Sequence, residues 1–404
     1  MRVIGMISGT SFDAVEALLA ELELDGDELV CELIEHRSVA YPPSVRHAIA
    51  AILPPSPTTI EQVCQLDVAI GRFFADVAGE LADDHGGVDA VCSHGQTVYH
   101  WVEGGDARGT LQLGEPAWTA ERTGAAVVSD VRNRDIAAGG HGAPLASLLD
   151  VLLLGASPAV CGSLNLGGIA NVTVLGPGRD PVAFDIGPAN ALIDAAVEML
   201  TDGDQRFDRH GAWAARGQAD AGLVDSLLDD PYFSLPPPKS TGKEYFNLGY
   251  VTRRVAEMGE EEISAADLLA SLTVATAEMV AASLRPFRLG ELIVAGGGTR
   301  NLTLMAELQA RLPGVTMRRT DELGVPEAAK EALVFAIIGF LTLHGLPATV
   351  PSCTGAARAS VLGSVTPGRA PLPLAALLAP GPAATAGALR APKRLVLRPP
   401  RPSK

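Results

Sequence analysis

The sequence predicts an α/β protein of two lobes, and three separated glycine turns carry that prediction. The turns occupy residues 8–13, 165–171 and 295–301, and each follows a short apolar run with the character of a strand. Segments of helical periodicity lie between the turns, so strands and helices alternate along the chain. The first two turns are hairpins of the same kind, which indicates two related lobes.

Length and composition describe an ordinary globular protein. The chain has 404 residues, of which 47% are hydrophobic and 19% are charged, enough for two domains with a full core. The net charge of −16 argues against nucleic acid as a partner, because neutralising phosphates requires a basic face. A phosphorylated ligand would therefore be held locally, by Mg²⁺ and a few basic side chains.

Cysteine usage and apolar runs predict a cytoplasmic protein without a membrane partner. The N-terminal apolar stretch is too short for a signal sequence, and residues 332–343 have the length of a buried helix. The cysteines include no Cys-x-x-Cys pair, which favours reduced, buried thiols in the cytosol. They are Cys31, Cys64, Cys92, Cys161 and Cys353. Whether the chain forms a homodimer is left open.

The first part of the chain predicts a helix and two strands. Residues 58–84 carry apolar side chains at helical spacing, opened by a capping box of Thr58 and Glu61. A short strand at 88–92 then delivers residues 93–97 to a loop at its end, where α/β proteins place chemistry. A second strand follows at 125–130.

The second part predicts a hairpin, two helices and a strand. The hairpin spans residues 163–175 and turns at Gly167 and Gly168. Helical periodicity covers 264–284 and 302–312. Between them a strand leads into a triple glycine and Asn301, a helix N-cap that offers a seat for a nucleotide.

These elements predict three regions. The N-terminal lobe comprises residues 1–130 plus about 345–365 and carries the first phosphate hairpin. The C-terminal lobe comprises 131–344 and carries the second hairpin and the triple glycine. Residues 366–404 form a Pro/Ala-rich basic tail that we expect to be poorly ordered.

The first turn has the composition of a phosphate-binding hairpin. Gly9 lacks a Cβ and lets backbone N–H groups approach an anion, Thr10 and Ser11 add hydroxyl donors, and Asp13 can hold a magnesium-bound water. Taken alone, the same residues describe an ordinary turn between two strands. The recurrence of the pattern favours the binding function.

The best-known nucleotide motifs are missing from the sequence. No segment fits the P-loop pattern, since Lys243 is followed by Glu244, and no Gly-x-Gly-x-x-Gly follows a strand. Two phosphate hairpins and an adenosine turn instead match the two-lobed fold of actin, hexokinase and the Hsp70 ATPase, in which the nucleotide lies in a cleft between the lobes.

Eight ordered segments resemble the anhydro-N-acetylmuramic acid kinases, over residues 4 to about 364. They are residues 9–13 (GTSFD), 93–98 (SHGQTV), 110–116 (TLQLGEP), 134–145 (RDIAAGGHGAPL), 165–171 (NLGGIAN), 184–190 (FDIGPAN), 239–247 (KSTGKEYFN) and 295–301 (AGGGTRN). The resemblance implies an enzyme that uses ATP and Mg²⁺ in cell-wall recycling. Such an enzyme opens the 1,6-anhydro ring of its sugar with water and phosphorylates O6.

Asp185 is the candidate general base. Water is a poor nucleophile, so a carboxylate must accept its proton as the C1–O6 bond breaks. Asp185 lies between a hydrophobic residue and a Gly-Pro turn and matches the family's catalytic Asp. The alternative is an Asp that caps its own turn. Glu331 matches a family Glu near the magnesium and phosphates, and its alternative is a solvated first-turn carboxylate.

The resemblance also implies the ligand contacts. Gly9, Thr10, Ser11 and Asp13 match the family's ATP-binding hairpin. The remaining phosphates and the adenosine would use Gly167, Gly168, Gly296, Gly297, Gly298 and Asn301.

Candidate sugar-binding residues follow the strands of the first lobe. His94, Gln96 and Thr97 could donate hydrogen bonds to sugar hydroxyls, and Arg132 or Arg134 could pair with the lactyl carboxylate of a muramic acid. A loop histidine satisfied by the protein itself is the main alternative for His94. Lys239 and Lys243 either close over the substrate or are solvated.

Several positions depart from the family pattern. Ala14 and Glu16 replace a usual Gly and Asp, Ile186 and Ala189 replace Thr and Gly, and His141 replaces Gln. These changes bear on sugar preference more than on fold. Three functions are therefore weighed: an active anhydro-sugar kinase, a nucleotide-dependent regulatory module, and a kinase or ring-opening ATPase for another small molecule.

Overall fold

The computed structural model describes residues 1–237, 239–259, 263–369 and 390–399. Contacts divide the chain into two compact units: unit 1 is Met1–Ala156 with Ala328–Lys404, and unit 2 is Ser157–Glu327. The lobe boundaries predicted from the sequence lie near residues 130 and 344, so residues 131–156 and 328–344 belong to unit 1 in this division.

Strands and helices alternate along the described chain. The strands are β1 (Arg2–Ser8), β2 (Ala14–Asp25), β3 (Glu28–Ala40), β4 (Ala90–Glu103), β5 (Asp106–Leu113), β6 (Ala126–Ser129), β7 (Cys161–Leu166), β8 (Ile169–Gly176), β9 (Arg179–Pro188), β10 (Glu291–Ala295), β11 (Thr316–Arg319), β12 (Ser364–Thr366) and β13 (Arg394–Arg398). The α-helices are α1 (Pro43–Ile52), α2 (Ile60–Asp84), α3 (Pro116–Thr123), α4 (Asn133–Ala137), α5 (Ser147–Leu154), α6 (Asn190–Leu200), α7 (Ala221–Leu228), α8 (Leu248–Glu257), α9 (Ala265–Leu284), α10 (Leu302–Arg311), α11 (Lys330–Leu343) and α12 (Pro351–Thr354). Short 3-10 turns span Arg209–Gly211, Ala214–Arg216, Pro231–Ser234, Arg285–Phe287, Gly297–Arg300, Thr320–Leu323 and Glu327–Ala329.

Unit 1 is built on a mixed sheet. Within the described residues its strand order is β12-β6-β4-β1-β2-β3-β13, with β5 also paired to β4. β1, β2 and β3 form an antiparallel meander, while β1, β4 and β6 are parallel to one another. This arrangement brings the end of β1 beside the middle of β4, where Ser8 pairs with Gln96.

Helices α2 and α11 belong to unit 1 and pack on its sheet. α2 confirms the predicted helix, but its capping box is formed by Thr59 and Gln62, one residue later than Thr58 and Glu61. α11 is buried along most of its length, as expected of its uninterrupted apolar sequence.

Part of the basic tail forms a strand. The sequence predicted a loosely ordered segment over residues 366–404, of which 370–389 and 400–404 lie outside the described residues. Within the described part, β13 pairs in parallel with β3 from Glu28 to Glu32. Leu395, the second residue of β13, is buried. The paired backbone satisfies hydrogen-bonding groups along the open edge of β3, which a Pro/Ala-rich composition does not predict.

Unit 2 repeats the strand plan of unit 1. Its sheet has the order β11-β10-β7-β8-β9 within the described residues. β7, β8 and β9 form an antiparallel meander, and β7, β10 and β11 are parallel. In both units the first strand lies between its hairpin partner and a parallel strand, so the predicted α/β fold with two related, actin/hexokinase-like halves is confirmed.

The helices of unit 2 include one long apolar segment. The stretch Ala265–Phe287, which contains α9, has the length and hydropathy of a membrane-spanning helix, and 67% of its apolar window is buried in the fold. Buried residues of its C-terminal half join the core that lies on β7 to β10, and those of its N-terminal half pack with α6, α7 and α8. This is the packing expected of the central helix of a domain.

The five cysteines, all among the described residues, are free. Four are buried, as predicted, and Cys64 is exposed on α2.

Candidate active site

The first phosphate hairpin follows β1, and hydrogen bonds with Gln96 of β4 hold it in place. The Gln96 Oε1 accepts a hydrogen bond from the Ser8 hydroxyl at 2.6 Å, and its Nε2 donates to the Gly9 carbonyl at 3.2 Å. A Cβ built on Gly9 would meet no atom within 4 Å. Thr10 and Ser11 are exposed. The turn thus presents bare backbone and two hydroxyls to open space, which fits an anion seat.

Asp13 closes this hairpin and lies at the surface. Its carboxylate is paired with the Arg46 guanidinium at 2.8 Å, and its carbonyl accepts from the Tyr41 N–H. Among the described residues, no group of three His, Cys, Asp or Glu side chains is placed to hold a metal ion. The residues present therefore fit a cation that keeps most of its water and phosphate ligands.

The segment 93–97 lies within β4 and is not the loop that the sequence predicted. It is held there by pairing with β1 on one side and β5 on the other. His94 and Gln96 are buried, and Thr97 is half-buried with its hydroxyl oxygen accepting from Gln112 Nε2 at 3.1 Å. The ring nitrogens of His94 and the amide nitrogen of Gln96 already bond within the protein. Neither side chain therefore has a free N–H donor for the predicted contacts to sugar hydroxyls.

Arg132 and Arg134 differ in their surroundings. Arg132 is half-buried, and its Nε donates to His94 Nε2 while its Nη1 donates to the Gly142 carbonyl, both at 2.7 Å. Desolvation lowers the pKa of Arg132 to about 10, partly opposed by the charge of Glu331. Arg134 is exposed. Neither arginine forms an ion pair with another described residue.

Glu331 is the second residue of α11. Its side chain is accessible to solvent, although protein surrounds it closely. This desolvation raises its pKa, and the nearby charges of Arg132 and Lys330 lower it. The Glu331 carboxylate is thus close enough to feel the charge of Arg132, although the two form no salt bridge.

Asp185 lies near the end of β9 in unit 2 and is half-buried. Its Oδ2 accepts two hydrogen bonds, from the Ser240 hydroxyl at 2.8 Å and the Thr241 N–H at 3.1 Å. Its carbonyl accepts from the Tyr232 hydroxyl, and its N–H donates to the Lys239 carbonyl. Oδ1 accepts no hydrogen bond from the described residues and remains available.

Burial is the main influence on the titration of Asp185. It raises the pKa of the carboxyl, and the donors Ser240 and Thr241 lower it in part. The charge of Glu244 acts in the same direction as burial. A carboxylate with a raised pKa and one free oxygen is suited to accept a proton.

The second phosphate hairpin is fixed by Asn190, a residue that sequence reasoning missed. The Asn190 Nδ2 donates to the carbonyls of Leu166 at 2.9 Å and Gly167 at 2.8 Å. Its own N–H also donates to Gly167, and the N–H of Ala189 donates to the Gly168 carbonyl. The carbonyls of the turn are therefore held on the side of α6.

Lys243 and Asp194 stand beside this hairpin. A Cβ on Gly168 would overlap the Cε of Lys243, so the lysine side chain crosses the turn directly. Burial raises the pKa of Asp194 to about 7, and the charge of Lys243 opposes that rise. The sequence left Lys243 undecided, although it belongs to the 239–247 segment, and did not single out Asp194, which lies outside all eight segments.

The triple glycine follows β10 as predicted. Gly296 has a φ of +89°, and a Cβ there would collide with the backbone of Leu166. Gly297 faces open space, with no atom within 4 Å of a built Cβ, and Gly298 is buried. Asn301 caps α10 by accepting from the Leu304 N–H at 3.0 Å, which confirms its predicted N-cap role.

A cavity of about 470 Å³ opens beside this turn within unit 2. It is lined by Asn190, Ile193, Asp194, Phe207, Asp208, Arg209, His210, Gly297, Arg300 and Asn301. The exposed aromatic ring of Phe207 and the exposed Arg300 were not identified from the sequence. The cavity is large enough for a nucleoside.

The departures near Asp185 lie in the core. Ile186 and Ala189 are both fully buried in the core of unit 2. Because side chains alternate along a strand, Ile186 points away from the face that carries Asp185.

Two further departures from the family pattern lie in unit 1. The Glu16 carboxylate is held by His36 at 2.7 Å and Ser38 at 2.6 Å, and His141 is half-buried.

Two related halves with glycine turns at matching strand ends place the chain in the actin/hexokinase-like class of ATPase folds. The chain is 54% identical to the anhydro-N-acetylmuramic acid kinase of Streptomyces coelicolor, over 93% of this chain and 96% of that relative. It is 51% identical to the same enzyme of Rhodococcus erythropolis, over 92% and 96%. Among solved structures, the activator of 2-hydroxyisocaproyl-CoA dehydratase from Clostridium difficile aligns with a TM-score of 0.41 and 11% identity, over 84% of this chain and 94% of that chain.

The family model of anhydro-N-acetylmuramic acid kinase matches residues 1–368. The chain belongs to this family, as its eight motifs predicted. β13 lies beyond the matched residues.

Proposed function

We propose that this chain opens 1,6-anhydro-N-acetylmuramic acid with water and phosphorylates its O6 with ATP, in the cytoplasm, as a step of peptidoglycan recycling. The products are N-acetylmuramic acid 6-phosphate and ADP. The observation that carries the proposal is the half-buried carboxylate of Asp185, which is held through Oδ2 and has Oδ1 free. Family membership supports the choice of substrate.

Asp185 acts as the general base. A water molecule gives its proton to Oδ1 while its oxygen bonds to the anomeric carbon. The C1–O6 bond breaks as the new bond to C1 forms, and O6 takes the γ-phosphoryl group as ADP leaves. Ser240 and Thr241 hold the carboxylate during the transfer, so its free oxygen stays directed at the water.

Candidate nucleotide-binding groups occur in both units. In unit 1, the turn at Gly9, Thr10 and Ser11 offers donors to phosphate oxygens. In unit 2, Gly167 and Gly168 do the same with Lys243 across the turn, and the cavity beside Gly297 is the proposed seat of the adenosine. Asp13 and Glu331 are the carboxylates that would face the water shell of Mg²⁺ bound with ATP, and the ion would supply neutralisation of phosphate charge.

Arg132 is the proposed partner of the sugar's lactyl carboxylate. It is a half-buried cation whose hydrogen bonds go to a neutral ring and a carbonyl. Desolvation of a charge that has no ion-pair contact is costly, and a bound carboxylate would offset that cost. Arg134 is exposed, so its charge remains solvated and does not pay this desolvation cost.

The direct test is turnover of 1,6-anhydro-N-acetylmuramic acid with magnesium-ATP, following ADP and sugar phosphate together. We expect the two products in equal amounts. ADP without sugar phosphate would instead support a ring-opening ATPase for another molecule. ATP binding with neither product would support a regulatory module.

The nucleotide seat can be tested with Gly297→Ala. The added methyl would project into the proposed adenosine cavity, where it meets no protein atom, so thermal stability should be unchanged. We expect the KM for ATP to rise by about tenfold, or ~1.4 kcal/mol of binding. Gly109→Ala, on β5, is the matched control, since its Cβ has only an ordinary contact with Trp101 at 3.8 Å. Unchanged ATP kinetics in the Gly297 variant would place the adenosine elsewhere.

A further inference from the structure

Arg132 is fixed from two directions by groups of unit 1. Its Nε donates to His94 Nε2 and its Nη1 donates to the Gly142 carbonyl. These bonds engage Nε and Nη1 and set the orientation of the planar guanidinium. Nη2 makes no hydrogen bond with a described residue, so its N–H donors are left for a ligand.

His94 is built to accept this one bond. Its side chain is buried on β4, and its Nδ1 donates to the Gly95 carbonyl at 3.0 Å. That leaves Nε2 as an acceptor. Burial and the charge of Arg132 hold the pKa of His94 well below its usual range, so the ring stays neutral. The ring packs on Phe335 with 4.7 Å between centroids, which fixes its plane.

Gly142 is held in place by Asp135. The Asp135 carboxylate is fully buried, and it accepts hydrogen bonds from the Gly142 N–H and the Thr354 hydroxyl, both at 2.8 Å. Its surroundings are tight, since a Cβ on Gly140 would overlap the Asp135 Oδ2. The loop that carries the second acceptor for Arg132 is thereby fastened to α4 and α12.

We propose that His94 and Asp135 are positioning residues that direct the free Nη2 group of Arg132 at the carboxylate of the sugar. His94 acts by direct acceptance from Nε, and Asp135 acts through Gly142. This inference rests on the proposed function of Arg132. It gives His94 a function different from the expected contact with sugar hydroxyls, because both of its ring nitrogens are engaged within the protein.

The proposal makes recognition of the carboxylate separable from the chemistry. Two substrates isolate it: 1,6-anhydro-N-acetylmuramic acid, and 1,6-anhydro-N-acetylglucosamine, which has the same ring without the lactyl group. A group that only positions Arg132 should affect the KM of the first sugar and leave the kinetics of the second unchanged. A merely structural defect would impair both.

The experiment compares wild type, Arg132→Met, His94→Phe and the double variant with both sugars. His94→Phe keeps an aromatic ring against Phe335 and removes the acceptor. We expect Arg132→Met and His94→Phe each to raise the KM for the carboxylated sugar by about tenfold with little change in kcat. The double variant should lose hardly more than Arg132→Met alone, since both changes remove one interaction.

Asp135 provides a second arm that does not depend on the folding of His94→Phe. Asp135→Asn can still accept from the Gly142 N–H with its amide oxygen, while the Thr354 hydroxyl turns to accept from the amide nitrogen. Asp135→Ala loses both bonds. We expect the selective loss in the Ala variant and its rescue in the Asn variant.

The outcomes separate the two proposals. In one outcome, Arg132→Met loses activity only on the carboxylated sugar, while His94→Phe and Asp135→Ala lose activity equally on both sugars or on neither. This outcome would overturn the positioning role and leave the function of Arg132 standing. A nonselective Arg132→Met would overturn the carboxylate contact and the positioning role with it. Wild type that forms no sugar phosphate would overturn the proposed reaction itself.

Discussion

Asp185→Asn should reduce sugar phosphate formation by about 10²- to 10⁴-fold, the usual contribution of a general base. The amide has nearly the same shape but cannot accept the water proton. Its oxygen can still receive the hydrogen bonds from Ser240 and Thr241, so the fold around β9 should persist. The measurement is kcat with saturating sugar and ATP. A variant that keeps more than a tenth of the activity would contradict the role of Asp185.

Ser240→Ala is the matched control for this variant, and its pH dependence of kcat/KM is compared with that of the wild type. The base acts only when it is deprotonated, so activity should fall as the pH drops through its pKa. Burial raises the pKa of Asp185, and the Ser240 hydroxyl lowers it in part. Removing that hydroxyl should therefore move the acid limb of kcat/KM to higher pH while activity at alkaline pH is retained. An acid limb that stays in place would mean that another group controls it.

Local sequence was enough to predict the two hairpins and the triple glycine. The turns after β1 and β7 and the Asn301 cap each depend on residues within a few positions of one another. For that reason the glycine and capping patterns were enough to predict these features. The capping box of α2 shows the limit of this approach, because Thr58 and Thr59 both fit the pattern and only the structure selects Thr59.

The surroundings of the candidate catalytic residues could not be predicted in the same way. The donors to Asp185 come from Ser240 and Thr241, more than 50 residues later in the chain. Likewise, Arg132 meets His94 across 38 residues. These contacts depend on strand register and on loop return, which a single sequence does not specify. The motifs named the residues, and the fold determined which of them have a free hydrogen-bonding group.

β4 and β13 were mispredicted for a related reason. The glycine at position 95 made residues 93–97 look like a loop, but Gly95 has a φ of +74° within a strand that continues to Glu103. β13 contains only five residues, and its partner β3 lies more than 300 positions earlier. In both cases distant pairing outweighs local composition.

Gly5→Ala should destabilise the protein by about 3 kcal/mol, the upper end for overpacking a core by one methyl. A Cβ on Gly5 would lie far inside van der Waals contact of the Ala332 carbonyl oxygen and the Ala336 nitrogen of α11. Both are backbone atoms, so no side chain can rotate away. β1 or α11 must shift, and the helix is buried along most of its length.

Urea unfolding measures this effect through the transition midpoint. Gly9→Ala, four residues further along, is the control, because its Cβ meets no atom within 4 Å and should leave the midpoint unchanged. Equal stability of the two variants would mean that α11 moves away from β1 at little cost. In that case Glu331, which directly precedes Ala332, would move with the helix. A folded Gly5→Ala enzyme should then show weakened use of magnesium-ATP, which links the packing of β1 to the proposed role of that carboxylate.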